Sequence, residues 1–89
     1  MSGAGRVVDV QRRNEPKSNR AALLLVTDFD APVGPDHLKR NAVFVEPTGP
    51  HPVVGDPISR GPYHVVWNGR RLHKLGSECD PNDPALYTG

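Results

Sequence analysis

Apolar residues come in short bursts along this chain, bounded by Gly, Pro, Asn and Asp, a pattern that suits β-strands better than helices. Arg6-Val7-Val8-Asp9-Val10 predicts a first short strand, and the polar run over residues 11–20 a long loop. Residues 21–29, Ala-Ala-Leu-Leu-Leu-Val-Thr-Asp-Phe, form the most apolar run. Its first five residues would equally suit a helix. The β-branched Val26 and Thr27 and the abrupt Asp28-Phe29-Asp30-Ala31-Pro32 stop favour a buried strand. After Pro35, residues 36–40 predict one helical turn capped by Asp36. Residues 41–46 predict a strand with Val43 and Val45 on one face and Phe44 on the other.

Residues 47–62 hold five Pro and three Gly, which argues against a continuous central strand; Val53 and Val54 are expected to make at most a short edge pairing. The strongest local signal follows. Tyr63-His64-Val65-Val66-Trp67, Asn68-Gly69 and Arg70-Arg71-Leu72-His73-Lys74-Leu75 predict a β-hairpin, because Asn-Gly tolerates the positive φ that a type I′ turn needs at both central positions. A two-residue turn fixes the register, placing Trp67 opposite Arg70, Val65 opposite Leu72 and His64 opposite His73. The Tyr63–Val65–Trp67 face is expected to be the core face, with Arg70 and Lys74 snorkelling at its rim. Residues 77–89 read as an acidic tail in which Asp83 caps a short turn, Pro84 opens it, and Leu86 and Tyr87 dock back.

These elements predict a mostly β fold, either a small SH3-like barrel or a twisted antiparallel sheet of about five or six short strands with at most one short helix. The expected core is Leu23, Leu25, Val43, Val45, Val65, Trp67 and Leu72. The whole of residues 1–89 is read as one small domain, with a flexible start over 1–5, a β-rich body over 6–76 and the tail over 77–89. Val-Gly-Asp-Pro-Ile-Ser-Arg-Gly-Pro-Tyr-His-Val-Val-Trp-Asn-Gly (residues 54–69) resembles the small SH3-like barrels. There a Gly-Asp turn precedes a strand, and chromodomain-type members carry Tyr-x-Val-x-Trp-x-Gly, matched here by Tyr63, Val65, Trp67 and Gly69. That resemblance implies an aromatic cage for methylated lysine; a plain core role for Tyr63 and Trp67 is the simpler expectation.

Composition adds a boundary. Hydrophobic residues are 36% of the 89, below the usual figure of about 45–50%, so one modest core with irregular connections is expected. No apolar run approaches a membrane span or a secretory leader. Cys79 stands alone, so no intrachain disulfide can form, and a reducing compartment is expected: the cytoplasm by default, or the host cytoplasm or virion for a phage-encoded protein.

The net charge of +1 hides an uneven distribution. Arg6, Arg12, Arg13, Lys17 and Arg20 outnumber Asp9 and Glu15 in the first twenty residues. Arg70, Arg71 and Lys74 have no acidic neighbour between residues 61 and 76. Glu78, Asp80 and Asp83 have no basic neighbour in the tail.

These residues offer three kinds of candidate chemistry. Arg12, Arg13, Lys17 and Arg20 with Arg70, Arg71 and Lys74 form a candidate surface for nucleic acid, phosphate meeting cation while Tyr63 or Trp67 stacks on a base. The near-balanced charge favours ordinary solvated side chains. His64 and His73, about 5 Å apart across the ladder, form a candidate metal pair, although zinc asks for four ligands and two solvent-facing imidazoles are the plainer reading. Leu-Leu-Leu-Val-Thr-Asp-Phe-Asp-Ala-Pro (residues 23–32) resembles the nucleophile strand of haloacid dehalogenase-type phosphotransferases, which implies Asp28 as nucleophile and Asp30 as acid/base. Such enzymes need a doubly wound sheet that this length cannot hold. There is no Gly-rich phosphate loop, so no cofactor is expected, and the acidic neighbours of Cys79 disfavour a reactive thiolate. The leading expectation is a non-enzymatic interaction module for a protein partner, such as a phage accessory or structural protein, with nucleic acid and a His-pair metal as alternatives.

Overall fold

The computed structural model describes residues 3–33, 37–47 and 49–88. It is mostly β, as the hydrophobic pattern predicts. Six strands, β1 (Ala4–Asn14), β2 (Ala21–Val33), β3 (Leu38–Val45), β4 (Pro57–Arg60), β5 (His64–Trp67) and β6 (Arg70–His73), form one antiparallel sheet in the order β3-β2-β1-β4-β5-β6. The sheet curls until its two edges touch at a bridge between Val45 and Lys74, where Glu46 N–H donates to His73 O at 3.0 Å and Leu75 N–H to Phe44 O at 2.8 Å. That contact occupies one end of each edge strand and leaves less edge free to pair with other chains. Among the described residues no helix is long and apolar enough to cross a membrane.

Every strand sends at least one side chain to the inner cluster: Val7, Leu23, Leu25, Val43, Val45, Ile58, Val65 and Leu72, with Val10 and Trp67 packed against it. All seven expected core residues are there. A second cluster lies on the other face of β2 and β3, where Ala22, Leu24, Val26, Ala42 and Phe44 meet Leu86. β2 is thus buried on both faces, which is why its sequence is a continuous apolar run instead of an alternating one.

The cover over that outer face is the segment after β6. It runs along β3, with Cys79 and Ala42 exchanging backbone hydrogen bonds of 2.7 and 2.8 Å. It ends in a one-turn 3-10 helix, Pro84–Tyr87, capped by the Asp83 carboxylate as expected.

β1 passes between the two clusters by means of a bulge. The register slips at Val8, so that Val7 and Val10 both face inward while Val8 joins the outer cluster. An unbulged strand would have sent Asp9 into the apolar interior. Instead its carboxylate accepts from Gln11 Nε2 at 2.7 Å and from the Val10 N–H at 3.0 Å.

Several expectations need correction. Residues 11–14 belong to β1, and the loop is confined to residues 15–20, because Gln11 and Arg12 still pair with Leu24 and Leu23. The strand also begins at Ala4, inside the span read as a flexible start. Asp36 lies outside the described residues, but Leu38–Arg40 continue β3 and His37 has φ of 54°, so no helical turn runs there. Val53 and Val54 sit exposed in a turn, and the strand of this region is Pro57–Arg60, with Ile58 buried. The hairpin register is as predicted, with Trp67 opposite Arg70, Val65 opposite Leu72 and His64 opposite His73. Tyr63, however, precedes β5 and is 74% exposed, not a core residue.

β1 comes so close to β2 at Gly5 that a Cβ there would penetrate the Asp28 carbonyl oxygen and stand 2.8 Å from Phe29 Cδ1. The obstacle is backbone locked in a ladder. Gly5→Ala is therefore expected to cost about 1–3 kcal/mol, read as a lower urea midpoint with an unchanged m-value.

Candidate binding cleft

The β4–β5 connection, the start of the segment after β6 and the base of the β2–β3 loop enclose a cleft of about 620 Å³. Arg60, Lys74 and Glu78 are its charged lining, Pro32, Pro62 and Tyr63 its apolar lining, and His37 also borders it. Each charged group is placed by a different constraint. Arg60 ends β4, paired to Val65. Lys74 is held by its N–H to Tyr63 O at 3.0 Å and by the bridge to Val45. Glu78 precedes the Cys79–Ala42 bridge.

The result is an ion triad. Arg60 presents its Nε–Nη2 edge to the Glu78 carboxylate, with Nε 3.0 Å from Oε2, and Lys74 Nζ donates to the same oxygen at 3.1 Å and to Gly61 O at 2.8 Å. The Lys74 and Glu78 side chains are only 7% and 6% exposed, and Arg60 31%. Burial pushes the Glu78 carboxyl up, but hydrogen bonds from Arg60 and Lys74 outweigh it and hold the group below its ordinary range. Two cations against one carboxylate leave the triad with a positive charge to spare.

The sequence-predicted residues are distributed differently. Lys74 is tied into the triad, so it does not snorkel and is not a free surface cation. Arg13 is also engaged, with Nε on Gln11 Oε1 at 2.7 Å and its guanidinium 5.0 Å from the centre of the Tyr87 ring. Arg12 borders a hollow beside Pro47, and Arg70 reaches Gly49. Lys17 borders another hollow over Phe44, Leu75 and Leu86, while Arg20 and Arg71 are exposed.

His64 and His73 do stand opposite each other. Among the described residues no third His, Cys, Asp or Glu joins them. Asp28 is held by Arg40 at 2.6 and 2.7 Å, and that hydrogen-bonded pair lowers its pKa. A carboxylate so engaged is a strut between β2 and β3, not an available nucleophile. Trp67 donates from Nε1 to Asp56 at 3.0 Å and packs on the inner cluster, which with the outward Tyr63 leaves no cage between the two rings. Burial, then Asp83, pushes the Cys79 thiol up, away from the reactive thiolate.

Arg60 and Glu78 escaped sequence reasoning. Arg60 sits alone in a Pro/Gly-rich stretch, and Glu78 reads as one acid of a tail. The available signal was that Glu78 follows Lys74 by four residues, a spacing that means little outside a helix.

Comparison of the chain with protein families, with curated proteins and with solved structures yields no match.

Proposed function

We propose that this protein is a non-enzymatic interaction module that docks a protein partner at the cleft between Tyr63 and Glu78, as an accessory or structural component of a larger assembly such as a phage particle. The observation that carries this reading is Tyr63: a large aromatic ring, 74% exposed, standing beside Pro62 and Pro32 on the rim of a concave, charged site. Exposed aromatics at the edge of a concavity are the side chains that anchor protein interfaces, because they bury much area at little cost in rotamer entropy. The triad below is pre-ordered by its own hydrogen bonds, so binding need not organise it.

The nucleic-acid reading has less support. It loses Lys74 to the triad and finds Arg13 already occupied by Gln11 and the Tyr87 ring.

The test places a photo-crosslinking benzoylphenylalanine at residue 63, or at exposed residue 20 as a control, in cells of the source. A discrete protein adduct from position 63 that is absent from position 20 is the expected result. No adduct, or the same adducts from both positions, overturns the proposal. Adducts to nucleic acid from position 20 would revive the alternative.

A further inference from the structure

We propose that the cleft is a carboxylate receptor: it takes an Asp or Glu side chain of the protein partner on the free edge of the Arg60 guanidinium. This rests on the interaction-module reading above and specifies the chemistry that the partner must present.

A guanidinium carries five N–H donors in a fixed plane. Glu78 takes the Nε–Nη2 edge of Arg60, and among the described residues Nη1 meets no acceptor. The Nη1 group and the second Nη2 hydrogen therefore form a second two-donor edge, matched in width to a carboxylate. Arg60 cannot turn away from this role, because Glu78 fixes its plane and Lys74 fixes Glu78.

Charge points the same way. Arg60 and Lys74 against Glu78 leave a single uncompensated positive charge, which one carboxylate neutralises. A phosphate dianion would overshoot that charge and meet the Glu78 carboxylate. Outside the triad, Pro32, Val33, Pro62 and Tyr63 suit the aliphatic stem and neighbouring residues of a peptide, and His37 and Ser77 add polar groups to the same lining. It offers no further Arg to track a nucleic-acid backbone.

The test needs no partner, so its failure is separable from failure of the docking reading. The 15N-labelled protein is titrated with N-acetyl-glutamate α-amide, with the isosteric N-acetyl-glutamine α-amide and with methyl phosphate, following the amides of Gly61, Tyr63, Gly76 and Ser77 and the Arg60 side-chain signals. Expected are saturable millimolar shifts with the glutamate probe, slowed rotation of the Arg60 Nη groups, and no saturation with the glutamine probe.

Arg60→Lys, which keeps the charge near Glu78 but removes the second edge, should weaken binding about tenfold. Arg6→Gln, which removes a charge at an exposed site outside the cleft lining, should leave it unchanged. If the variant unfolds, the Arg60 signals of the unaltered protein still decide the matter. Equal shifts with both amide probes, tighter binding of methyl phosphate, or Arg60 signals that do not respond would each overturn the proposal. A photo-adduct at position 63 alongside a silent titration would keep the docking reading and discard the carboxylate.

Discussion

Glu78→Gln is expected to destabilise the protein by about 3 kcal/mol, since it leaves Lys74 nearly buried against an uncharged partner. For a chain of this size that corresponds to a melting temperature lower by roughly 12–24 °C. The effect should depend on pH in a definite direction. Arg60 and Lys74 hold the folded carboxyl below its unfolded pKa, so the stabilisation is complete above roughly pH 4.3. It drains away as pH falls through the folded value. Urea unfolding between pH 7 and pH 3 should show the unaltered protein and the variant converging at the acid end. A constant gap across that range would mean that Glu78 contributes through packing and not through its charge. Lys74→Met should cost less than Glu78→Gln, because Arg60 continues to neutralise the carboxylate.

Leu24→Ala should cost about 3 kcal/mol, as much as Leu25→Ala. The comparison tests the two-faced burial of β2 directly. On a sheet with one wet face, one of these adjacent residues would point to solvent, and its truncation would stay within about 0.5 kcal/mol. Here Leu24 lies in the outer cluster with Phe44 and Leu86, Leu25 lies in the inner cluster with Val43 and Val45, and neither is exposed. Urea midpoints of the two variants decide it; a near-silent Leu24→Ala would mean that the segment around Leu86 does not cover β2 in solution.

What the sequence made legible and what it concealed divide along the range of the forces involved. The β5–β6 hairpin could be read to the residue because Asn68-Gly69 sets its register within two positions. β2 could be read because a run that is apolar at every position has no wet face to offer. β4 was hidden: Pro57-Ile58-Ser59-Arg60 has one apolar side chain and opens with a residue that cannot donate to a ladder. Of its two partners, β5 follows it directly but β1 comes from the other end of the chain.

The cleft was hidden for the same reason on a larger scale. Arg60 and Glu78 are eighteen residues apart and meet only because the segment after β6 is pinned along β3. Segment charge counts placed Lys74 in a basic patch and Glu78 in an acidic tail, when the two neutralise each other. Tyr63 was assigned to the core by alternation, but alternation constrains a side chain only while the strand lasts, and β5 starts one residue later.

The placement of the outer cover also orders events at the ribosome. Residues 75–86 emerge after all six strands, so the apolar outer face of β2 and β3 is made well before the residues that shield it. Until Leu86 arrives, a nascent chain shows Leu24, Val26 and Phe44 to its surroundings, together with the unguarded edge of β3. Proteolytic clipping near Gly76 would recreate that sticky intermediate in the finished molecule, turning the loss of the Leu86 segment into a tendency to self-associate.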